Sequence, residues 1–178
     1  PARSLGVQGT LLAEEITPNA CATLGGHLFV TRGRIEAGQS ENGLSRVLAH
    51  EYAHVHQRHP MILLLEQLSF SVLFGLAGGT DIGGWVGQHS SMLTLLAFSR
   101  DMERSADAYA LERLQATYGH SQGADEFFQH VLEQDESHWQ QFLQTHPLTS
   151  ERISNIRANI DSGKLTPLPP VLTQIAQP

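Results

Sequence analysis

The run His50-Glu51-Tyr52-Ala53-His54 carries the clearest chemistry in the chain. Histidines at i and i+4 on a helix project from one face, about one turn apart. That spacing lets both imidazoles reach a single zinc ion at about 2.0–2.1 Å. Glu51, beside them, is placed to hold and deprotonate a water on that ion, as in an HExxH peptidase motif. His56 and His59 follow closely, so the same string also reads as a histidine-rich polar helix face.

A catalytic zinc takes three protein ligands and a water, so a third ligand is required. Glu103-Arg104-Ser105-Ala106-Asp107 offers one. Glu103 and Asp107 again stand at i and i+4 on one face. Glu103 suits the metal, and Asp107 suits the spare N–H of a ligand histidine, fixing its tautomer. Taken alone, the pair also reads as a solvated acidic face with Arg100 and Arg104.

These residues need elements to position them. Residues 4–39 read as β-rich, with two or three short strands and a helical turn: Gly25-Gly26 is a turn signal, and His27-Leu28-Phe29-Val30-Thr31 ends in β-branched residues. Leu44, Val47, Leu48 and Val55 give helical periodicity over 42–59, capped by Ser40 or Asn42 and stopped by Pro60. Residues 61–79 are the most apolar stretch, but Glu66 and Gln67 interrupt it, and a membrane span needs about 20 apolar residues. It is expected to be a helix packed within the domain; the rival is that 61–87 touches membrane or client protein. Glycines 75, 78, 79, 83, 84 and 87, with Trp85, mark a loop. Helices are expected over 89–117, with Gly119 as stop, and over 123–138. His146-Pro147 forms a turn, and Thr149 or Ser150 caps a last helix with Ile153, Ile156 and Ile160. This sets a domain at 1–163 and a Pro-rich extended tail at 164–178.

Composition bounds the rest. The 178 residues, 40% hydrophobic and 16% charged, suffice for one domain with a real core. A net charge of −7 excludes a basic nucleic-acid footprint. The single Cys21 excludes an intramolecular disulfide framework and a cysteine-based zinc ribbon. Ten histidines are the compositional hint of metal chemistry. His89, His120, His130 and His138 have no motif context and are expected to be surface or locally satisfied residues, and His27 is expected to be a rim or strand residue rather than a ligand. The chain starts at Pro1 with no basic n-region or apolar h-region, which reads as a mature or trimmed fragment.

In order along the chain, Asn19-Ala20, Gly25-Gly26-His27-Leu28-Phe29-Val30-Thr31-Arg32-Gly33, Leu48-Ala49-His50-Glu51-Tyr52-Ala53-His54-Val55, Glu103 with Ala106-Asp107 and Ala110, and His146-Pro147 with Arg152-Ile153 form one pattern. It resembles the gluzincin metallopeptidases of family forty-eight, with their BepA-like, HtpX-like and CAAX-prenyl-endopeptidase-like branches. The resemblance runs from about residue 19 to 156. It implies an α+β fold, mainly helical and zincin-type, with a small β-sheet beside the active-site helix. It also implies one Zn²⁺ per chain on His50, His54 and Glu103, with Glu51 as general base and then general acid. Asp107 would support His50. His146 and Arg152 would lie near the metal. In some relatives the loop histidine stabilises the oxyanion, and in soluble BepA-like members it takes the fourth zinc position and holds the enzyme latent. Arg152 alternatively pairs with a buried acid.

The expected activity is a zinc metalloendopeptidase cutting unfolded or misassembled polypeptides in envelope quality control, in the periplasm or another extracytoplasmic space. Segment 24–31 is either an edge strand that binds extended substrate beside the zinc or an ordinary core strand. The transmembrane helices of the membrane branches are not found in this sequence, nor is the helical repeat region of some periplasmic members. A stand-alone protease or a domain of a longer protein is therefore expected. The rival function is a latent or non-proteolytic zinc protein that binds clients as a chaperone does.

Overall fold

The computed structural model describes residues 9–23, 25–78, 97–133 and 139–175. Three strands come first: β1 (Gly9–Ala13), β2 (Ala20–Ala22) and β3 (His27–Thr31). The sheet order is β1-β3-β2, with β1 parallel and β2 antiparallel to β3. Alternation along β3 sends Leu28 and Val30 into the core and leaves Phe29 exposed. The segment read as a candidate edge strand is thus the central strand, paired on both sides. The free edge nearest the helices is β2.

A short helix α1 (Arg32–Glu36) follows, capped by the Thr31 hydroxyl, which accepts from the Arg34 amide. Its Gly33 is demanded by space: a Cβ there would sit 1.9 Å from the Ile16 carbonyl oxygen. Next comes α2 (Glu41–His56), and its cap is Ser40 rather than Asn42, with Ser40 Oγ accepting from the Gly43 amide. Leu44, Val47 and Ala53 form its buried apolar side.

Where one helix over 42–59 is expected to stop at Pro60, the break comes earlier. Gln57 is the C-cap of α2 and Arg58 takes a left-handed conformation, φ 58°. The next helix, α3 (His59–Gly78), then starts with Pro60 in its first turn. A missing N–H costs nothing there, because the first amides of a helix have no intrahelical partner. Within α3, Met61, Ile62 and Leu65 are exposed, so its opening turns are not a buried helix. No helix among the described residues is long and apolar enough to cross a membrane. The glycine loop with Trp85, His89, and the expected helix start at 89–96 lie outside the described residues.

Helix α4 (Arg100–Tyr118) begins later than expected, because Ser99 caps it through the Met102 amide; it ends at Gly119, φ 75°. Ala106 and Ala110 are fully buried, as is Ala53 on α2. These small side chains let α2 and α4 pack closely. Then come α5 (Glu126–Glu133), α6 (Gln140–Thr145) and α7 (Ser150–Ala158), the last capped by Thr149. Helix α5 is shorter than the expected 123–138, since Ser121–Asp125 are a turn; 134–138, with His138, lie outside the described residues. Val47, Leu114, Phe127, Phe128, Val131, Trp139, Phe142 and Ile156 make the main core.

The Pro-rich segment is extended, as its composition suggests, but it is pinned down. Thr166 O accepts from the Glu41 amide at 2.8 Å, and the Thr166 amide donates to Asn42 Oδ1 at 2.7 Å. A final helix α8 (Pro170–Ile175), not expected from sequence, packs on α1. The whole is an α+β domain with a small sheet beside α2.

Candidate metal centre

Helix α2 presents His50 and His54 one turn apart, and the crossing helix α4 brings Glu103 against them. The fourth member, His146, comes from the end of α6. These four residues are each no more than 1% exposed, and their ligand atoms lie within 4.8 Å of one another. His50 Nε2 is 3.1 Å from His54 Nε2 and 3.4 Å from His146 Nδ1. Glu103 Oε1 is 3.0 Å from His146 Nδ1 and 3.4 Å from His54 Nε2, and Glu103 Oε2 is 3.5 Å from His50 Nε2. A tetrahedral zinc with bonds of about 2.0–2.1 Å has ligand atoms about 3.3 Å apart. The spacing matches that figure. Several ring nitrogens and a carboxylate turned toward one point are a set of lone pairs awaiting a cation, so the donor set fits a metal.

The surroundings prepare the ligands. His50 Nδ1 lies 2.9 Å from Asp107 Oδ1, which leaves Nε2 with its lone pair toward the centre. Asp107 is held in turn by two buried guanidiniums: Arg152 donates Nε at 2.7 Å and Nη2 at 2.9 Å, and Arg46 donates Nη2. Arg152 Nη1 also meets Glu103 Oε2 and donates to Pro147 O at 2.9 Å. Two arginines thus face two carboxylates. Arg152 is committed to buried acids and a carbonyl, which is the second of the two sequence expectations for it. Burial works against ionising Asp107, but Arg46, His50 and Arg152 outweigh it and hold its carboxyl well below the usual range. Glu103 is likewise pushed down, because contacts from His146, His50 and His54 overcome its burial. Burial lowers His54 to about 3, with Glu103 opposing and His50 and His146 adding to the fall. Burial acts the same way on His50, but Asp107 and Glu103 outweigh it and raise it.

Glu51 is fully buried and flanks the set. It draws polar support from the Ala22 backbone and from His146 Nε2 at 3.4 Å, and neither of its oxygens has a hydrogen bond of ordinary geometry. Burial raises its carboxyl above the usual range, against the pull of His146 and His50. Burial and the Glu51 charge push the Cys21 thiol up to about 11, so it stays protonated and is no rival ligand.

All seven sequence-derived residues, His50, Glu51, His54, Glu103, Asp107, His146 and Arg152, therefore come together. Three neighbours were missed. Arg46 stands four residues before His50 on the same helix, a spacing that could have flagged it. His59 Nδ1 lies 2.9 Å from His54 Nδ1, and only the left-handed residue Arg58 brings it back there. Phe98 stacks on His54 with centroids 3.8 Å apart, and no sequence signal points to it. The motif-free His120 is satisfied locally by the Gln122 amide, and His130 lies beside Gln39 and Trp139.

The sequence profile of peptidase family M48 matches residues 4–160. The chain belongs to peptidase family M48. Among M48-related proteins, the mitochondrial metalloendopeptidase OMA1 of Schizosaccharomyces pombe is 32% identical over 154 residues, covering 79% of this chain and 43% of that protein. The beta-barrel assembly-enhancing protease of Yersinia pestis is 28% identical over 170 residues, covering 84% and 34%. Metalloprotease YcaL of Escherichia coli is 28% identical over 154 residues, covering 82% and 59%. The chain thus spans between about a third and three fifths of these relatives' lengths. An M48 metalloprotease domain implies a bound metal, and the buried cluster is compatible with one.

Proposed function

We propose that the chain is a zinc-dependent metalloendopeptidase that hydrolyses unfolded or misassembled polypeptides in an extracytoplasmic, envelope quality-control setting. The observation that carries this reading is the buried convergence of His50, His54, Glu103 and His146 with Glu51 alongside. The names of the relatives, a beta-barrel assembly-enhancing protease and a mitochondrial metalloendopeptidase, support the setting.

His50, His54 and Glu103 would hold the zinc. When bound, it supplies Lewis-acid polarisation of a peptide carbonyl and lowers the pKa of a water. Glu51 takes that water's proton at its carboxylate and returns it to the leaving amide nitrogen; its burial, which raises its proton affinity, suits both halves. Asp107, braced by Arg46 and Arg152, keeps the N–H of His50 on Nδ1. Arg152 neutralises charge on Glu103 and Asp107 and positions them.

Extended substrate would add to β2. The Thr31 amide bonds Asn19 O and the Thr23 amide bonds His27 O, so the polar groups of Ala20 and Ala22 turn to the free edge. That edge adjoins Glu51 through Ala22. Strand addition there would set a main-chain carbonyl beside the base.

A specific observation favours a latent resting state. His146 Nδ1 sits within the donor set while its Nε2 faces Glu51, and the ring is wedged between Phe142 and Phe98. In such a form His146 would be the fourth residue holding the zinc, and substrate entry would require its ring to move aside.

The test is cleavage of casein by zinc-loaded wild type, Glu51→Gln and His146→Ala. Wild type or His146→Ala should cut, Glu51→Gln should not, and a faster His146→Ala identifies the latch. If no variant cuts with zinc confirmed in all three, a client-binding module becomes the better reading.

A further inference from the structure

Beyond the proposed base, the α2 face that carries Glu51 continues to Val55, at i+4, and the chain then leaves the helix through the left-handed Arg58. Opposite it, the chain leaving β2 turns through Thr23, Gly25 and Gly26 into β3. Between the two lies a cavity of about 280 Å³, lined by Thr23, Gly25, Gly26, Val55, Pro60 and Met61, with Arg58. Its walls are aliphatic side chains and glycine backbone. Its cation is Arg58.

Three features set Arg58 apart. Among the described residues, no carboxylate ion-pairs with its guanidinium, in a chain of net charge −7 where most other arginines are paired. Its backbone is left-handed, φ 58°, where glycine or asparagine is the low-cost choice. And the cavity borders Thr23, the residue that follows β2, the strand a peptide would join. Strain of this kind persists where the surrounding structure imposes it, and it gathers at ligand-binding sites.

We infer that this cavity is a side-chain subsite for an acidic residue of the peptide substrate, and that Arg58 selects glutamate. A glutamate laid there rests its methylenes on Val55, Pro60 and Met61 and gives its carboxylate to the guanidinium. Aspartate is one methylene short of combining both contacts. Because the cavity lies to one side of Glu51 along the strand, the preference falls at one position on one side of the scissile bond. This inference rests on the peptidase reading above.

The test uses peptides of a casein cleavage site with Glu, Asp, Gln or Lys at each position in turn. Their binding to the zinc-loaded Glu51→Gln, His146→Ala double variant, which lacks the blocking ring, is read by fluorescence anisotropy, so turnover is not needed. At one position Glu should bind about tenfold tighter than Gln, the scale of one charge-assisted hydrogen bond. Arg58→Gln should erase that difference, Arg58→Lys should restore part of it, and Arg58→Glu should turn the preference to Lys. All three keep a Cβ at the left-handed position, so backbone strain is constant across the series. Equal binding of Glu, Gln and Lys peptides at every position would overturn the subsite, as would a Glu preference surviving in Arg58→Gln. Peptides that fail to bind while wild type or His146→Ala cuts casein defeat the subsite alone. Neither binding nor cutting, even by His146→Ala, defeats the peptidase reading as well.

Discussion

Replacing Asp107 by asparagine probes how the metal centre is held together. The side chain keeps its shape and loses one charge. In the native protein, Arg46 and Arg152 face Asp107 and Glu103, two positive charges against two negative, with exposures between 1% and 5%. Asparagine leaves one buried guanidinium charge uncompensated and turns amide hydrogens or a single acceptor oxygen toward several donors. Breaking one partner of a buried ion pair costs about 3–5 kcal/mol. For a chain of this size, each kcal/mol lowers Tm by about 2–4 °C, so the metal-free variant should melt about 6–20 °C below wild type. His50 also loses the charged acceptor at 2.9 Å that fixes its tautomer, and zinc affinity should fall about 10–100-fold. Calorimetry at neutral pH gives the first quantity and chelator competition the second. Adding Arg46→Met should return part of the lost stability, because it removes one unmatched cation, and a double-mutant cycle isolates that coupling. An Asp107→Asn protein that melts within about 2 °C of wild type and holds zinc equally well would refute the charge balance drawn here.

Three further outcomes follow from the same contacts. His59→Phe keeps the packing near Phe98 but removes the acceptor facing His54 Nδ1 at 2.9 Å. Zinc should bind about tenfold or more weakly, and His59→Asn, whose oxygen can accept, should recover much of the loss in the same chelator titration. Glu51→Gln should raise the Tm of the metal-free protein while abolishing cleavage, since it relieves a buried carboxylate without ordinary hydrogen bonds; a lower Tm in a thermal scan would count against the site's assignment. The metal-free protein should also lose stability as pH falls from about 6.5 to 3. Burial lowers His54 to about 3 in the fold, while the unfolded chain binds that proton at about 6.5. Between those values the unfolded state holds the His54 proton and the fold does not, so this group makes stability rise with pH by about 1.4 kcal/mol per unit. Glu51, whose raised carboxyl keeps a proton in the fold above the usual carboxylate range, opposes part of that rise and is removed from the balance in Glu51→Gln. The depressed carboxyls of Asp107 and Glu103 extend the loss below about pH 4. Denaturant midpoints across that range that do not move would contradict the burial of a neutral His54.

The metal-binding spacing was legible because it is helical. His50 with His54, and Glu103 with Asp107, are each one turn apart, and no tertiary information is needed to know that each pair shares a face. The caps at Ser40 and Thr149 and the stop at Gly119 were legible for the same local reason, since a side-chain acceptor or a left-handed residue acts on the adjacent turn. The Ser99 cap was overlooked, and the helix start was placed too early. The break at Arg58 was misplaced because proline is the louder signal, and Pro60 sits where proline is tolerated.

What sequence alone determined, then, is the set of residues able to do the chemistry and the helices that carry them. Tertiary structure decided their meeting and everything that depends on it. The crossing of α2 over α4, permitted by Ala53, Ala106 and Ala110, sets Glu103 against the two histidines. It also gives Asp107 the arginine partner Arg46, and the packing of α7 on α4 adds Arg152. The turn at Arg58 returns His59 to His54, and the place of β3 between two partners hands the free edge to β2. Each of these is a contact between segments distant in sequence or redirected by a turn. Local periodicity reports which face a residue occupies, and only the packed chain says what that face meets.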